Sequence, residues 1–438
     1  MVITKDYKTF TLRNYTQIPQ IKKYLSLNQV EIIKIVGSVL PFKVNNYVID
    51  ELIDWDNFET DPIYILTFPQ KGMLSNEHYK MLEEAIRNDV SEGELNKLID
   101  YVRKELNPNP AGQMDHNVPV LHGEPITGVQ HKYEQTLLFF PSHGQTCHAY
   151  CTFCFRWPQF VGDKSLKFAR KETERVIEYI KKHPKVSDVL FTGGDPMTMG
   201  ADRLRAYIEP FLELEQIRNI RIGTKSLAYW PYKYVNEEDS ENVLQLFRDI
   251  KSKGKQVAFM AHFNHPVELS TPIVKQAVEN ILEAGVQIRT QSPIMKHLND
   301  SCTTWRNMWT KQVELGMIPY YMFIARDTGA QEFFSVPLVK AWNVFKNAYR
   351  QVSGLARTVK GPIMSSHPGK IAILGPTNIN GEKKLALSFM QGRNPDWIME
   401  PFFAEYDEEA AWLDDLKPAF GKKNFFFETE LIDEVGLN

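Results

Sequence analysis

Cysteine is scarce in this sequence, which has four among its 438 residues. Four cysteines are too few for a disulfide framework in a chain of this length, and three of them fall within eight residues, from Cys147 to Cys154. Such crowding favours metal binding over disulfide bonding. We therefore expect a reducing compartment and a cytoplasmic protein.

Long apolar runs are absent as well. No stretch reaches the roughly 18 consecutive apolar residues that a membrane span needs, and the first residues, Met1 to Lys8, include two lysines and no apolar run. The formal net charge of −3 gives no electrostatic reason to favour nucleic acid or an anionic membrane. The sequence therefore predicts neither nucleic acid nor a membrane as a partner.

Apolar residues themselves are plentiful, at 43% of the chain, which is enough to bury a sizeable core. From about Thr136 onward, short apolar runs alternate with amphipathic helical patterns, as in successive βα units of a parallel sheet. The clearest helix begins at Thr271 and Pro272 and ends before Gly285. The six predicted strands are Leu137–Phe140, Asp188–Thr192, Asn219–Gly223, Gln256–His262, Val286–Ser292 and Pro319–Ala325.

Right-handed crossovers would curl six such strands into an incomplete barrel, with functional groups at the carboxyl ends of the strands. We therefore predict an α/β protein built on a partial (β/α)6 barrel over residues 131–352. An α+β extension precedes it over residues 1–130, with a helical pattern near Glu77–Arg103. A second α+β extension follows over residues 353–438, with a hairpin signal at Asn380–Gly381.

The three clustered cysteines form the motif Cys147-His-Ala-Tyr-Cys151-Thr-Phe-Cys154, just after the first predicted barrel strand. Three thiolates suit an iron–sulfur cluster, in which a four-iron cubane would keep one iron open for a cofactor or substrate. The alternative is a structural zinc site, which needs a fourth ligand such as His148 or the distant Cys302.

A second motif, Gly193-Gly194-Asp195-Pro196, follows the second predicted strand. Its glycines would allow close backbone approach, and the Asp195 carboxylate could accept hydrogen bonds from an ammonium group. Taken alone, Gly-Gly-Asp is an ordinary turn. Its position one strand after the cysteine loop favours a shared site with that loop.

Further blocks complete a pattern: Ala261-His-Phe-Asn-His-Pro266, Ala284-Gly-Val286, Gln291-Ser-Pro293, Asn299-Asp300 and Pro319-Tyr-Tyr321. With the two motifs, and in the same order and at similar spacing, they resemble the lysine 2,3-aminomutase family over roughly Asp61 to Lys370. The resemblance implies a radical S-adenosylmethionine (SAM) barrel. It also implies that a 4Fe-4S cluster and SAM supply the radical, while pyridoxal phosphate carries the substrate amine during 1,2-migration.

The resemblance also implies roles for individual residues. Arg156 falls where the family holds the substrate carboxylate, a task that suits the planar fork of guanidinium; the alternative is an arginine that balances a surface acid. Lys370 matches the lysine that binds pyridoxal phosphate covalently. The implied cluster ligands are Cys147, Cys151 and Cys154, and the implied SAM residues are Tyr150, Gly193, Gly194, Asp195, His262 and Gln291.

Two departures weaken the implied pyridoxal phosphate site. Ser366, His367 and Pro368 replace glycines that would let the backbone approach the cofactor, and Thr136 stands where the family has an arginine for the phosphate. Pyridoxal phosphate is still the expected cofactor. The alternative is a radical SAM enzyme that catalyses another rearrangement, oxidation or epimerisation without it.

The departures also concern the substrate. Lysine-specific members hold the distal ammonium with two aspartates, and here those positions are Arg326, with Asp327 displaced by one residue, and Ile363. A cation in place of an anion repels lysine and can pair with a carboxylate. An acidic amino acid such as glutamate or aspartate is therefore expected, unless the register slips and restores Asp327 to the pocket.

The family's structural zinc is bound by a cysteine near the Asn-Asp block and others near the C-terminus. This chain has Cys302 in that region and no later cysteine, so zinc is not expected. The resemblance implies a small amino-acid substrate, a reducing electron donor such as flavodoxin or ferredoxin, and a homo-oligomer. A scaffold without catalytic activity and a member that modifies a partner protein are the alternatives from other classes.

Overall fold

The computed structural model describes residues 5–107, 117–161, 168–428 and 430. The first part pairs strands β1 (Thr9–Thr11) and β2 (Lys43–Asn45) in an antiparallel ribbon. The helical pattern predicted near Glu77–Arg103 is confirmed as two helices, each capped by a serine side chain. The helices of this part are Pro19–Tyr24, Leu27–Val39, Pro62–Thr67, Asn76–Arg87 and Glu92–Glu105.

A short ribbon of β3 (Val120–Leu121) and β4 (Glu124–Pro125) leads to β5 (Val129–Tyr133), which pairs antiparallel with the first barrel strand. Parallel pairing then runs without interruption through seven strands. They are β6 (Thr136–Phe139), β7 (Asp188–Phe191), β8 (Asn219–Thr224), β9 (Gln256–His262), β10 (Gln287–Ile294), β11 (Ile318–Ile324) and β12 (Lys360–Ser365).

All six predicted barrel strands are confirmed, and the partial barrel with them, with ends that shift by one or two residues. The crossover helices are Glu174–Lys182, Ala201–Leu212, Ser240–Ser252, Pro272–Glu283, Cys302–Glu314 and Leu338–Tyr349. The predicted helix after Thr271 is confirmed, and its ends show which local residues begin and end it. The Thr271 hydroxyl accepts the Val274 N–H, Pro272 occupies the first turn, and Gly285 has the positive φ that follows a helix end.

Antiparallel strands from the C-terminal part extend the same sheet: β13 (Gly369–Ile379), β14 (Glu382–Gly392) and β15 (Pro401–Glu405). The predicted hairpin is confirmed, since Asn380 and Gly381 both have positive φ, as a tight two-residue turn requires. One cluster of buried side chains joins all parts of the fold, from Tyr15 to Phe427. The division into three domains stays a prediction.

The eleven-stranded sheet is open, with β5 at one edge. Side-chain hydrogen bonds connect this edge of the sheet to residues that follow β12 and β14. Lys132 Nζ on β5 donates to the Ser366 carbonyl after β12 (2.5 Å), and the Arg393 guanidinium donates to Asn117 Oδ1. Within the described ranges, no helix is both long and apolar enough to span a bilayer.

Candidate active site

A cavity of about 780 Å³ lies at the carboxyl ends of the parallel strands. All thirteen side chains or backbone positions that the sequence singled out contribute to its lining. They are Cys147, Tyr150, Cys151, Cys154, Arg156, Gly193, Gly194, Asp195, His262, Gln291, Arg326, Asp327 and Lys370. Their convergence follows from the topology, because successive parallel strands end at the same side of a barrel.

The N-terminal part of the chain fixes the cysteine loop through backbone hydrogen bonds. The Tyr150 N–H donates to the Lys43 carbonyl (2.8 Å), and the Thr152 N–H donates to the Leu66 carbonyl (2.9 Å). In return, Lys43 Nζ donates to the Cys147 carbonyl at 2.7 Å. The extension before the barrel therefore determines the conformation of the loop that carries the thiols.

The three thiols are free and partly buried in the cavity wall. Burial raises the pKa of Cys151 to about 11 and that of Cys154 to about 12, and it raises the pKa of Cys147 as well. The thiols are therefore protonated at neutral pH unless a bound metal supplies positive charge. In the part of the chain that the structure describes, no three His, Cys, Asp or Glu side chains are grouped as ligands of a single ion.

The Gly193-Gly194 turn packs directly on the cysteine loop. A Cβ on Gly193 would lie 2.3 Å from Gln145 Nε2, and one on Gly194 would lie 2.5 Å from backbone atoms of Thr146. Neither position has room for a side chain, and Gly193 has a φ of 144°. Glycine is needed here because two loops approach closely.

Asp195 is buried at the end of this turn, and burial raises its pKa to about 6. Its carboxylate accepts hydrogen bonds from the Met197 N–H (2.9 Å), the Lys225 N–H (2.8 Å) and the Thr224 hydroxyl (2.7 Å). These donors use both oxygens and tie the loop after β7 to the end of β8. A direct contact between Asp195 and a SAM ammonium stays a prediction.

His262 and Gln291 lie on adjacent strands, and their Nε2 atoms are 2.7 Å apart. Burial, assisted by the Lys225 ammonium, lowers the pKa of His262 to about 3. The imidazole is therefore neutral at physiological pH. A neutral ring paired with an amide can both donate and accept hydrogen bonds, as recognition of a polar ligand requires.

Two arginines that could bind substrate carboxylates lie near the ring of Phe155. Arg156 is buried, with its guanidinium 4.2 Å from the Phe140 ring and 5.3 Å from the Phe155 ring. Arg326 lies 5.4 Å from the same Phe155 ring, and its buried Nε has no hydrogen-bond partner among the described residues. Asp327 approaches Arg326 only to 3.9 Å. Phe155 thus separates two cationic groups that face one cavity.

Lys370 lies in another part of the cavity wall, near the start of β13, where its Nζ donates to Gln391 Oε1. The rings of Tyr133 and Tyr321 lie 5.0 and 5.2 Å from the ammonium. Burial, followed by repulsion from Arg221 and Lys360, lowers the pKa of Lys370 to about 7. A substantial fraction of the amine is therefore nucleophilic at neutral pH.

Sequence reasoning missed several residues of the cavity wall. Lys225 follows β8 directly, so the rule that functional groups come after barrel strands could have found it. Arg221 lies within β8, where it donates to Asp188 (2.7 Å) and to Thr136 Oγ1 (3.2 Å). No local signal marks the segment 412–414, which reaches the cavity from the C-terminal part.

Several proteins named as aminomutases are similar to this chain in sequence. A protein from Aquifex aeolicus named "Putative L-lysine 2,3-aminomutase" is 33% identical over 291 residues, which cover 66% of this chain and 74% of that protein. The L-lysine 2,3-aminomutase of Fusobacterium nucleatum is 27% identical over 53% of this chain and 52% of its own length. The glutamate 2,3-aminomutase of Clostridioides difficile is 23% identical over 80% of this chain and 72% of its own.

These relatives define an isomerase of the radical SAM, aminomutase-like class. The chain belongs to the lysine 2,3-aminomutase family, as the sequence predicted. No family model matches it. Relatives named for lysine and for glutamate both match, so family membership alone does not select the substrate.

Solved structures align only in part. A radical SAM methyltransferase from Sphaerobacter thermophilus gives a TM-score of 0.38 at 10% identity, over 66% of this chain and 93% of that one. Streptococcus suis SuiB bound to S-adenosylmethionine gives 0.34 at 13% identity, over 62% of this chain and 56% of its own. The order of its strands defines the partial barrel of this chain.

Proposed function

We propose that this enzyme moves the amino group of a free α-amino acid from carbon 2 to carbon 3, using a 4Fe-4S cluster, SAM and pyridoxal phosphate. The observation that carries the proposal is one cavity with three partly buried thiols and the amine of Lys370 in its wall. Radical generation and amine binding need adjacent sites, because the radical must reach the carbon beside the bound amine.

Cys147, Cys151 and Cys154 would hold the cluster, leaving one iron for SAM. Support comes from their spacing, their burial and their raised pKa values, since positive iron offsets the cost of a buried thiolate. Gly193, Gly194, Asp195, His262, Gln291 and the ring of Tyr150 would line the SAM site. When bound, the cluster and SAM supply the radical chemistry; an external reductant such as flavodoxin or ferredoxin would supply the electron.

Lys370 would bind pyridoxal phosphate, which supplies an electrophilic carbonyl for the substrate amine. Its lowered pKa supports this role, because only the neutral amine attacks a carbonyl. Thr136 replaces the expected phosphate arginine, yet the Arg221 guanidinium lies 3.2 Å from the Thr136 hydroxyl. Lys132 is also in the cavity wall; burial and the nearby Arg393 lower its pKa, and a phosphate beside it would favour its charged form.

One feature favours a second candidate, a radical SAM enzyme without pyridoxal phosphate. The Ser366 hydroxyl and N–H both donate to the Gly369 carbonyl, at 3.1 and 3.0 Å. These two donors are therefore engaged within the loop and are not directed at a phosphate. The family's glycine-rich loop has no such side chain.

The test is an anaerobic absorption spectrum of the reconstituted enzyme with pyridoxal phosphate, then borohydride reduction and peptide mapping. The expected result is iron–sulfur absorbance together with a pyridoxyl group on Lys370. Lys370→Arg, which keeps a cation but cannot form the bond, is the matched control and should carry no label. Iron–sulfur absorbance without a label on the wild-type enzyme would favour the second candidate.

An acidic amino acid is the proposed substrate. Arg156 would hold the α-carboxylate and Arg326 the distal carboxylate, and the unpartnered Arg326 Nε supports this assignment. Among the described residues, three arginines contribute to the cavity wall, and guanidinium groups keep their charge at neutral pH, which also favours an anionic ligand. Ile363 is fully buried in β12 and offers no acid for an ammonium.

Glutamate, aspartate, lysine and glutamine should be compared as substrates at equal concentration by mass spectrometry of the products. Glutamate or aspartate should react best, and glutamine, which has nearly the shape of glutamate without its charge, should react poorly. Preference for lysine would mean that Asp327, not Arg326, faces the distal group. Cytoplasmic localisation and homo-oligomerisation stay predictions.

A further inference from the structure

One hydroxyl contacts a candidate cluster ligand directly. The Tyr229 hydroxyl lies 3.3 Å from Cys151 Sγ, and both side chains line the cavity. A thiolate that binds iron has no proton to donate, so the hydroxyl must be the donor once a cluster is bound. The sequence motif gives no hint of this contact, because Tyr229 is 78 residues away along the chain.

The tyrosine is held firmly from several sides. Its side chain is 1% exposed, and its carbonyl accepts a hydrogen bond from Asn45 Nδ2 at 2.8 Å. The same amide donates to the carbonyl of His148, within the cysteine loop, at 3.2 Å. The N-terminal part therefore fixes Tyr229 and the cysteine loop through one side chain, and the hydroxyl has little freedom to turn away.

A buried cation supports the same ring. Lys225 Nζ lies 4.5 Å from the centre of the Tyr229 ring. It is fixed by Glu268 Oε1 at 2.5 Å and Asn264 Oδ1 at 2.7 Å, and Glu268 is fully buried. The lysine therefore adds positive charge beside the Tyr229 ring, and the same charge also acts on the Cys151 thiol.

The other two thiols have different surroundings. The charge of Lys43 acts on Cys147, and the backbone N–H and guanidinium of Arg156 act on Cys154. Only Cys151, among these three thiols, has a side-chain hydroxyl as its hydrogen-bond partner in the described structure. The three ligands of one cluster are thus unequal.

We propose that the Tyr229 hydroxyl donates a hydrogen bond to the Cys151 thiolate and raises the reduction potential of the cluster. Reduction adds one electron from the external donor, and the added negative charge spreads over the thiolates. A hydrogen bond to a thiolate becomes stronger as that charge grows, so it stabilises the reduced form more than the oxidised form. Tyr229 is a positioning residue that acts through Cys151. The inference rests on the proposed cluster.

Tyr229→Phe removes the hydroxyl and keeps the ring against Lys225. Wild-type and variant enzymes would be reconstituted anaerobically, assayed for iron and sulfide per chain, and titrated with a reductant while the reduced cluster is followed by EPR. The variant should take up the same iron, and its midpoint potential should shift to a more negative value. Tyr47→Phe is the matched control, because Tyr47 is equally buried, donates to or accepts from Thr271 at 2.9 Å and lies outside the cavity wall.

Each outcome has one meaning. A wild-type enzyme that takes up no iron would refute the proposed cluster, whereas equal midpoints for wild type and Tyr229→Phe would refute this inference alone. Circular dichroism shows whether a variant without iron is folded. If the folded Tyr229→Phe variant binds no iron, proton ENDOR on the wild-type cluster tests the hydrogen bond instead. An exchangeable proton coupled to the cluster supports the hydrogen bond, and the absence of such a proton overturns it.

Discussion

The two ends of the cavity are built in different ways. At the thiol end, the ligands come from one segment of eight residues, and backbone hydrogen bonds to the N-terminal part fix its conformation. At the amine end, Lys370 meets side chains from strands far apart along the chain, including Tyr133 on β5, Arg221 on β8 and Tyr321 on β11. The first end depends on a motif, and the second depends on convergence of the whole barrel.

The difference has a functional meaning. A cluster and SAM are needed by every radical SAM enzyme, so a contiguous motif can carry that chemistry on many barrels. The substrate differs from one enzyme to another, and side chains at separate strand ends can change one at a time. We therefore expect substitutions at the thiol end to abolish all chemistry, and substitutions at the amine end to change which substrate reacts.

The largest effect is expected from Cys151→Ala. The variant leaves two thiolates for the cubane and removes the hydrogen-bond partner of the Tyr229 hydroxyl, so iron uptake and SAM cleavage should be lost. Iron content and the yield of 5′-deoxyadenosine measure this. Cys302→Ala, at a cysteine outside the cavity wall, is the control and should keep both. Retained SAM cleavage in the Cys151 variant would overturn the assignment of the cluster.

Arg326→Asp should change the substrate rather than the radical chemistry. The charge reversal should shift the ratio of glutamate to lysine turnover by about a hundredfold, because it replaces attraction of a buried carboxylate by repulsion. SAM cleavage without substrate should be unchanged. An unaltered ratio would mean that Arg326 does not contact the distal group of the substrate, and that the two ends are less separate than we infer.

Sequence patterns predicted the thiol end in detail because its information is local. Strand ends, cysteine spacing and the Gly193-Gly194 turn are each properties of a few adjacent residues, and all six barrel strands were found within one or two residues. The family resemblance added Lys370 and the arginines, which periodicity alone does not mark as functional.

The missed residues show where such reasoning ends. Arg221 occupies a less buried position in the alternating burial pattern of β8, as a surface arginine would. The sequence therefore does not distinguish it from a surface arginine until its neighbours are known. Tyr229 and Cys151 are distant along the chain, and the fold brings them into contact. The segment 412–414 likewise reaches the cavity from the C-terminal part. Contacts between distant residues need the topology, which local patterns do not specify.

The attachment of pyridoxal phosphate should depend on pH at the amine end only. Because the pKa of Lys370 is lowered to about 7, its reactive neutral form is depleted about tenfold for each pH unit below that value. The rate of borohydride-trapped labelling should therefore rise with pH and level off above pH 7. Lys360→Gln removes a repelling cation, so the midpoint should move to higher pH, whereas cluster absorbance should not change. A midpoint near that of free lysine would contradict the assignment.

The smallest effect is expected from Asp414→Asn, at an exposed part of the cavity wall near Asp327. Asp414 is exposed at the cavity wall, and burial together with the nearby Asp327 carboxylate raises its pKa. Removing this negative charge should lower the KM for an acidic substrate by roughly threefold, because charges screened by water contribute little. The change should fade at high salt and should leave kcat and SAM cleavage unchanged.

The control must be an aspartate without a structural role. Asp415 accepts the N–H groups of Ala411 and Trp412, and Asp407 accepts hydrogen bonds from backbone N–H groups in the same way, so neither is suitable. Asp396→Asn, an exposed aspartate outside the cavity wall, is the better comparison. A rise in KM instead of a fall would mean that the substrate carries positive charge at this end, and it would reverse the proposed polarity of the pocket.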